Sequence, residues 1–170
     1  CMYGVRNKYA YDFVSYLTAL HESMRRLEAD HELIVAVNGA GSQVASRLAE
    51  RPEPAPDVRV FEFARKLPSG ACLQALLPEV HGETLIVVGP YQQIAHESLD
   101  ALRRTVVEGE ADIALPWRRD RVDPLVNQLQ SRAFNHLVRS FTGADFHDLS
   151  CAVRVLRRQV LEEVALYGDL

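Results

Sequence analysis

Glu83-Thr84-Leu85-Ile86-Val87-Val88, running into Gly89-Pro90-Tyr91-Gln92-Gln93, is the stretch that decides the fold. An apolar, β-branched run closed by Gly-Pro reads as a buried strand of a parallel sheet ending in a sharp turn. A helix opens after it, near His96-Glu97-Ser98. The carboxyl end of such a strand is where open α/β sheets hold ligands. An enzyme using a hard dication would place carboxylates there. This chain places a glycine, a proline and a phenol.

Outward from that strand, helical and strand patterns alternate. Phe13, Leu17, Leu20, Met24 and Leu27 recur at helical spacing, which predicts a helix from Tyr9 to Ala29. His31 to Val37 reads as a buried strand ended by Asn38-Gly39-Ala40-Gly41-Ser42, with a short helix following through Leu48. Arg51 to Pro56 is a proline-rich surface loop, and Val58 to Phe63 alternates as a strand. Ser69 to Leu77 reads as a helix with Ser69 as its N-cap. Ser98 to Glu108 is a helix with Leu99, Leu102 and Val106 inward, and Ala111 to Leu115 a short strand. Pro124 to Phe141 is a long helix stopped by Gly143. Cys151 to Val155 reads as a strand and Arg157 to Leu166 as a last helix. The alternation predicts an α/β fold, a three-layer sandwich around a mostly parallel, Rossmann-like sheet.

The 170 residues suit one domain, and 48% apolar content fits a globular core. A net charge of -4 supplies no general attraction to nucleic acid. No run of about 18 apolar residues is present to span a bilayer. The opening Cys1-Met2-Tyr3-Gly4 has no apolar stretch of a signal peptide, and the chain reads as a fragment whose first strand is cut short. Cys1, Cys72 and Cys151 form no CxxC pair, so zinc is not expected; Cys72 and Cys151 read as reduced core residues, which points to a cytoplasmic setting. The histidines, His21, His31, His81, His96, His136 and His147, show no metal spacing; no GxSxG or GxGxxG motif occurs.

Several strings, in order, resemble family 2 glycosyltransferases of the polyprenyl-phosphate (dolichyl-phosphate) mannose or glucose synthase branch. Ser131-Arg-Ala-Phe-Asn135-His-Leu-Val-Arg139, Thr142-Gly143, Asp148-Leu-Ser-Cys151-Ala-Val-Arg154 and Arg157-Arg-Gln-Val-Leu161 are similar to that branch's helix, TG turn, D-x-x-C-G-F-R strand and closing helix. Leu33-Ile-Val-Ala-Val-Asn38-Gly39 resembles its second strand, Lys66 with Ser69-Gly70-Ala71 its G-K-G-x-A turn, and Asn7 the Asn of P-x-Y-N-E.

The resemblance implies the GT-A fold and a nucleotide-sugar donor. It also implies a carboxylate at the second strand's end for the base, and a D-x-D holding Mg²⁺ or Mn²⁺ against the diphosphate. This chain departs at each acidic point. The second-strand acids fall at Val37 and Asn38, the next at Ser42, and the D-x-D on Gly89-Pro90-Tyr91. No metal ligand is therefore assigned, no cofactor is expected, and no catalytic residue is named. Nucleotide-sugar contacts are expected from Asn38, Gly39, Lys66, Tyr91 and Gln93. The plain alternatives are an ordinary strand-end turn for Asn38-Gly39, a surface aromatic closing the emptied site for Tyr91, and a solvated loop residue for Gln93. Arg118, Arg119, Arg132, Asp148 and Arg154 are the candidates for acceptor phosphate. Solvated charges around an anchoring Trp117, and a structural Asp148–Arg154 pair, stand as the plain alternatives. Arg65, Lys66 or Arg118 would replace the missing cation in an active enzyme.

The resemblance implies hexose transfer to a polyprenyl-phosphate-type acceptor. The missing acids suggest instead a degenerate binding, regulatory or assembly module, and an unrelated nucleotide-binding α/β domain is the third reading. Expected partners are a nucleotide-sugar, a polyprenyl-phosphate lipid and a protein partner or second copy, but no nucleic acid. The expected location is the cytoplasm, peripheral to the inner face of a membrane.

Overall fold

The computed structural model describes residues 10–26, 30–39, 46, 58–117, 148–149, 151–166 and 168. Helix α1 spans Ala10–Arg25. Its buried Phe13 and Leu17 pack against Val35 and Val37 of strand β1, Leu33–Asn38. The i, i+4 spacing that predicted the helix thus faces the sheet. Strand β2, Val58–Phe63, pairs with β1 in parallel, from Leu33↔Val58 to Asn38↔Phe63. Helix α2 follows at Ser69–Leu76 and closes in a 3₁₀ turn, Leu77–Glu79.

Strand β3 is Thr84–Val87, α3 is Glu97–Val107, and β4 is Ile113–Ala114. Strand β5, Arg154–Arg157, runs into the short helix α4, Arg158–Glu163. These strands form a second sheet in the order β3-β5-β4, antiparallel at both pairings. The fold is therefore α/β with one parallel and one antiparallel sheet among the described residues. The decisive strand differs here from its reading, because its described neighbour is antiparallel. Both its faces are covered. Leu85 packs with Leu77, Leu156 and Leu161, while Ile86 and Val88 pack with Leu20, Leu99, Cys151 and Val153. Double-sided burial makes a continuous apolar run whichever way the neighbour points.

Other boundaries also move. The last strand begins at Arg154 rather than Cys151, because its register is set opposite β3, Thr84↔Arg157 to Val87↔Arg154. Ser69 is the first helical residue of α2, not its cap; Pro68 holds the cap position with no side-chain bond. The carbonyl of Gly168 instead accepts from the Gly70 N–H at 3.0 Å. A Cβ at Gly70 would lie 2.8 Å from that oxygen, so the close approach requires glycine. Helix α4 ends at Glu163, before an extended Val164, short of the expected Leu166. Cys72 and Cys151 are buried, and neither is in a disulfide among the described residues, as read. Of the expected helix through Leu48 only Ser46 is described, and it is helical; the expected helix over Pro124–Phe141 lies outside the described residues.

One charged cluster ties the two sheets together. Glu32, just before β1, accepts the backbone N–H groups of His81 at 2.6 Å and Gly82 at 3.2 Å, just before β3. Arg59 of β2 pairs with the same carboxylate. Partial burial pushes the Glu32 carboxyl up, but those donors outweigh it and bring the group down to about 2. The starts of β1 and β3 therefore lie at the same end of the molecule. No described helix is long and apolar enough to cross a membrane.

Candidate functional site

Two turns at the carboxyl ends of β1 and β3 carry the sequence candidates. At β1, Asn38 is buried, and both ends of its amide bond to Leu67. Nδ2 donates to the Leu67 carbonyl at 2.7 Å, and Oδ1 accepts the Leu67 N–H at 2.8 Å. The side chain thereby takes up both backbone groups of a residue beyond β2. Gly39 follows with φ +110°, a left-handed conformation that suits glycine. Its Cα faces the Lys66 backbone, whose nitrogen lies 3.9 Å from the Cβ position. Lys66 and Arg65 are exposed beside this turn.

At β3, the Gly89–Gln93 turn is fastened to the segment leading into β5. Gln93 Oε1 accepts the Ala152 N–H at 2.7 Å and lies 3.5 Å from Cys151 Sγ. Gln93 Nε2 donates to the Tyr91 hydroxyl at 3.2 Å. Gly89 is buried, with its Cβ position 3.3 Å from Ala152 Cβ, so a larger residue would press on that segment. Tyr91 itself is 59% exposed. Arg154 is half-buried and reaches the Ala152 carbonyl at 3.5 Å. Burial lowers its pKa, with neighbouring Cys151 acting the other way. Asp148 is buried a few residues before it.

The structure thus gathers Tyr91, Gln93 and Arg154 around Cys151–Ala152, and Asn38, Gly39 and Lys66 around Leu67. Trp117 is 54% exposed. Arg118, Arg119 and Arg132 lie outside the described residues, as do Asn7, Ser42 and Arg139.

Tyr16 escaped the sequence reading. Tyr16 on α1 stacks on His96, at the start of α3, with ring centroids 5.9 Å apart. Burial, then the Cys151 charge, push the Tyr16 hydroxyl up to about 12. The signal was present: Tyr16 stands three residues after Phe13 and four before Leu20, on the helix's inward face.

The turn does not fit a hard dication. Gly89, Pro90 and Tyr91 supply no carboxylate, and the Asn38 oxygen is already committed to Leu67. Among the described residues, no group of three His, Cys, Asp or Glu side chains could hold a metal ion.

Fold and site together define an α/β domain with polar turns at the carboxyl ends of its first and third described strands. Comparison with curated proteins goes further. The chain is 24% identical over 114 residues to a dodecaprenyl-phosphate galacturonate synthase of Rhizobium johnstonii, over 66% of this chain and 34% of that protein. It is 28% identical over 153 residues to an undecaprenyl-phosphate 4-deoxy-4-formamido-L-arabinose transferase of Erwinia tasmaniensis, over 85% of this chain and 46% of that protein. It is 30% identical over 146 residues to the glycosyltransferase AglD of Haloferax volcanii, over 82% of this chain and 23% of that protein. No protein-family model matches the chain. The chain is thus similar, at low identity over most of its length, to polyprenyl-phosphate sugar transferases, the branch its motifs resemble. It spans less than half the length of each of these relatives.

Proposed function

We propose that this chain is a GT-A-type domain of the polyprenyl-phosphate sugar transferase kind that has given up metal-assisted transfer. In this reading it serves as a binding, regulatory or assembly module. The Gly89-Pro90-Tyr91 turn carries the proposal: it lacks both carboxylates and is fastened to Ala152 through Gln93. A hard cation bridging a diphosphate needs oxygen ligands that this turn does not offer. The proposed arrangement is a single three-layer domain. Lys66, Tyr91 and Gln93 face a nucleotide-sugar, and Arg118, Arg119, Arg132, Asp148 and Arg154 face an acceptor phosphate. Asn38 and Gly39 shape the turn. The domain acts on the cytoplasmic side, at the membrane surface where a polyprenyl-phosphate lies, alone or with a protein partner or second copy.

The exposed Arg65 and Lys66 beside the Gly39 turn favour a second reading. Their charges, with Arg118, would replace the cation and stabilise the departing nucleoside diphosphate while the acceptor oxygen attacks the anomeric carbon. Hexose transfer would then proceed without metal.

Calorimetry with UDP-glucose and GDP-mannose, with and without Mn²⁺, tests both together with transfer of labelled hexose to undecaprenyl phosphate. Binding indifferent to Mn²⁺ without transfer supports the module. Transfer indifferent to Mn²⁺ supports the second reading. Brisk Mn²⁺-dependent turnover refutes both.

A further inference from the structure

The chain beyond α4 returns to the candidate site. Strand β2 ends at Phe63, opposite Asn38, and the chain then enters α2 at Ser69. The first turn of α2 therefore stands at the carboxyl ends of β1 and β2, on the side of the Gly39 turn. The segment that follows α4 lies across it. The Gly168 carbonyl accepts the Gly70 N–H at 3.0 Å, and the Leu166 N–H donates to Gln74 Oε1 at 3.3 Å, one helical turn further on. The Gly70 Cβ position lies 3.4 Å from Leu166 Cβ as well as 2.8 Å from the Gly168 oxygen, so the segment rests directly on the helix. Leu166 packs beside Leu77, Leu85, Leu156 and Leu161.

That attachment is slight. Val164 is extended and exposed, Ala165 and Gly168 are exposed, and Leu166 is partly buried. The Leu166–Gln74 bond is itself exposed. Few buried contacts and exposed hydrogen bonds mark a segment that opens at less cost than global unfolding. The other end of the same short stretch is also held. Three residues before Gly70, the Asn38 amide bonds both backbone groups of Leu67. Between the two clamps stand Pro68, with φ −56° fixed by its ring, and Ser69, which is already helical. So short and stiff a connection absorbs little of a displacement at one clamp before it reaches the other. Lys66, next to Leu67, stands against Gly39.

We propose that Val164–Leu166 and Gly168 form a strap that opens and closes on α2 as one unit while both sheets stay folded, and that its closure sets the Leu67 turn and with it Lys66. Hinges are a few element-terminal positions that absorb backbone change. Val164, where α4 ends, is one such position, and Gly168, with φ +73°, is another. With the strap closed, the turn beside Gly39 is held ready for a ligand; with it open, ordering that turn is charged against binding. This consequence rests on the proposed nucleotide-sugar role of Lys66. The strap and its coupling to Leu67 do not.

Residue-resolved amide exchange on the full-length polypeptide tests the strap without ligand. The Gly70 and Leu67 amides should open together, at least about tenfold faster than that of Arg157, which is bonded to Asp112 in the second sheet. A Cβ at Gly168 meets nothing within 4 Å among the described residues, so Gly168→Ala acts through its left-handed backbone. It should speed both amides by about fivefold or more and leave Arg157 unchanged. Gly168→Asn, which tolerates that backbone, should speed them less. Acceleration at Gly70 alone would overturn the coupling. Equal acceleration at Arg157, or none at any of the three, would overturn the strap as a separate unit. In calorimetry, UDP-glucose affinity should fall in Gly168→Ala and recover in Gly168→Asn; unchanged affinity would overturn the control of Lys66. A parent that binds no UDP-glucose would overturn the proposed role of Lys66, while the exchange results would still decide the strap.

Discussion

Replacing Asn38 separates a structural amide from a ligand contact. In Asn38→Ala, Leu67 loses a donor at 2.7 Å and an acceptor at 2.8 Å in one step. Each bond contributes about 1 kcal/mol net, so the pair sets a loss of about 2 kcal/mol. Leu67 is only partly buried, so water restores part of its hydrogen bonding and the loss should not much exceed that. For a domain of this size the midpoint should fall by about 4–8 °C. Asn38→Asp is the sharper version, because it returns the acid that the resembled family carries there. One carboxylate oxygen still accepts the Leu67 N–H, but the other meets the Leu67 carbonyl, acceptor against acceptor, in a buried position. The folded protein then favours the protonated acid, which can donate. Its folded pKa is raised, so stability is fully present below the unfolded value of about 3.9 and is lost as pH rises through the folded value. Asn38→Asp should therefore approach the parent at pH 3 and fall below Asn38→Ala at pH 8. Urea denaturation at both pH values, with UDP-glucose and GDP-mannose titrations alongside, decides the matter. If Asn38→Ala keeps its stability within about 0.5 kcal/mol while nucleotide-sugar affinity drops tenfold, Asn38 is a ligand contact and the reasoning fails.

Gln93→Leu removes the acceptor for Ala152 N–H and should destabilise by about 1–2 kcal/mol, while Gln93→Glu, which keeps an acceptor, should lose less; urea midpoints compare the two. Glu32 has its carboxyl held at about 2, below its ordinary value, so its contribution is present above about 4.5 and is lost as pH falls through about 2. Glu32→Gln should flatten that acid limb in a pH series of melts, by about 1 kcal/mol once solvent screening is allowed for. Gly70→Ala puts a methyl 2.8 Å from the Gly168 carbonyl and should detach the segment after α4, which would appear as faster exchange of the position-70 amide and a loss of about 1–3 kcal/mol.

Local chemistry made some of this fold legible and left the rest to pairing. Val58–Phe63 was read with the bounds it has, because its alternation reflects its own two faces. Phe13, Leu17 and Leu20 marked the buried face of α1 through spacing alone. The direction of β3's neighbour was not legible, since Leu85 and Ile86 are covered on opposite faces in either arrangement. Nor was the displacement of the last strand to Arg154–Arg157. Its two flanking arginines suggest loop, and only the ladder with β3 fixes its register. At the site, the absence of acids was plain in the letters. The fate of Asn38 was not, because its partner Leu67 stands 29 residues away and offers backbone rather than side chain.

The Asn38–Leu67 and Gln93–Ala152 contacts follow the same physical rule at two strand ends. In each, a side-chain amide takes up backbone groups of the segment facing it, at or just after a position where the resembled family keeps an acid. A carboxylate accepts but does not donate, so it could not make both Asn38 bonds. Gly89 is tight against Ala152, so an acid there would press on the segment that Gln93 holds. The acids lost at Asn38 and Gly89 are thus bound up with contacts that their return would disturb. Restoring one acid at a time should cost stability before it could return cation binding. A gradual route back to metal-assisted transfer would pass through destabilised proteins, which favours a settled non-metal role for the domain over a chain caught midway in losing its activity.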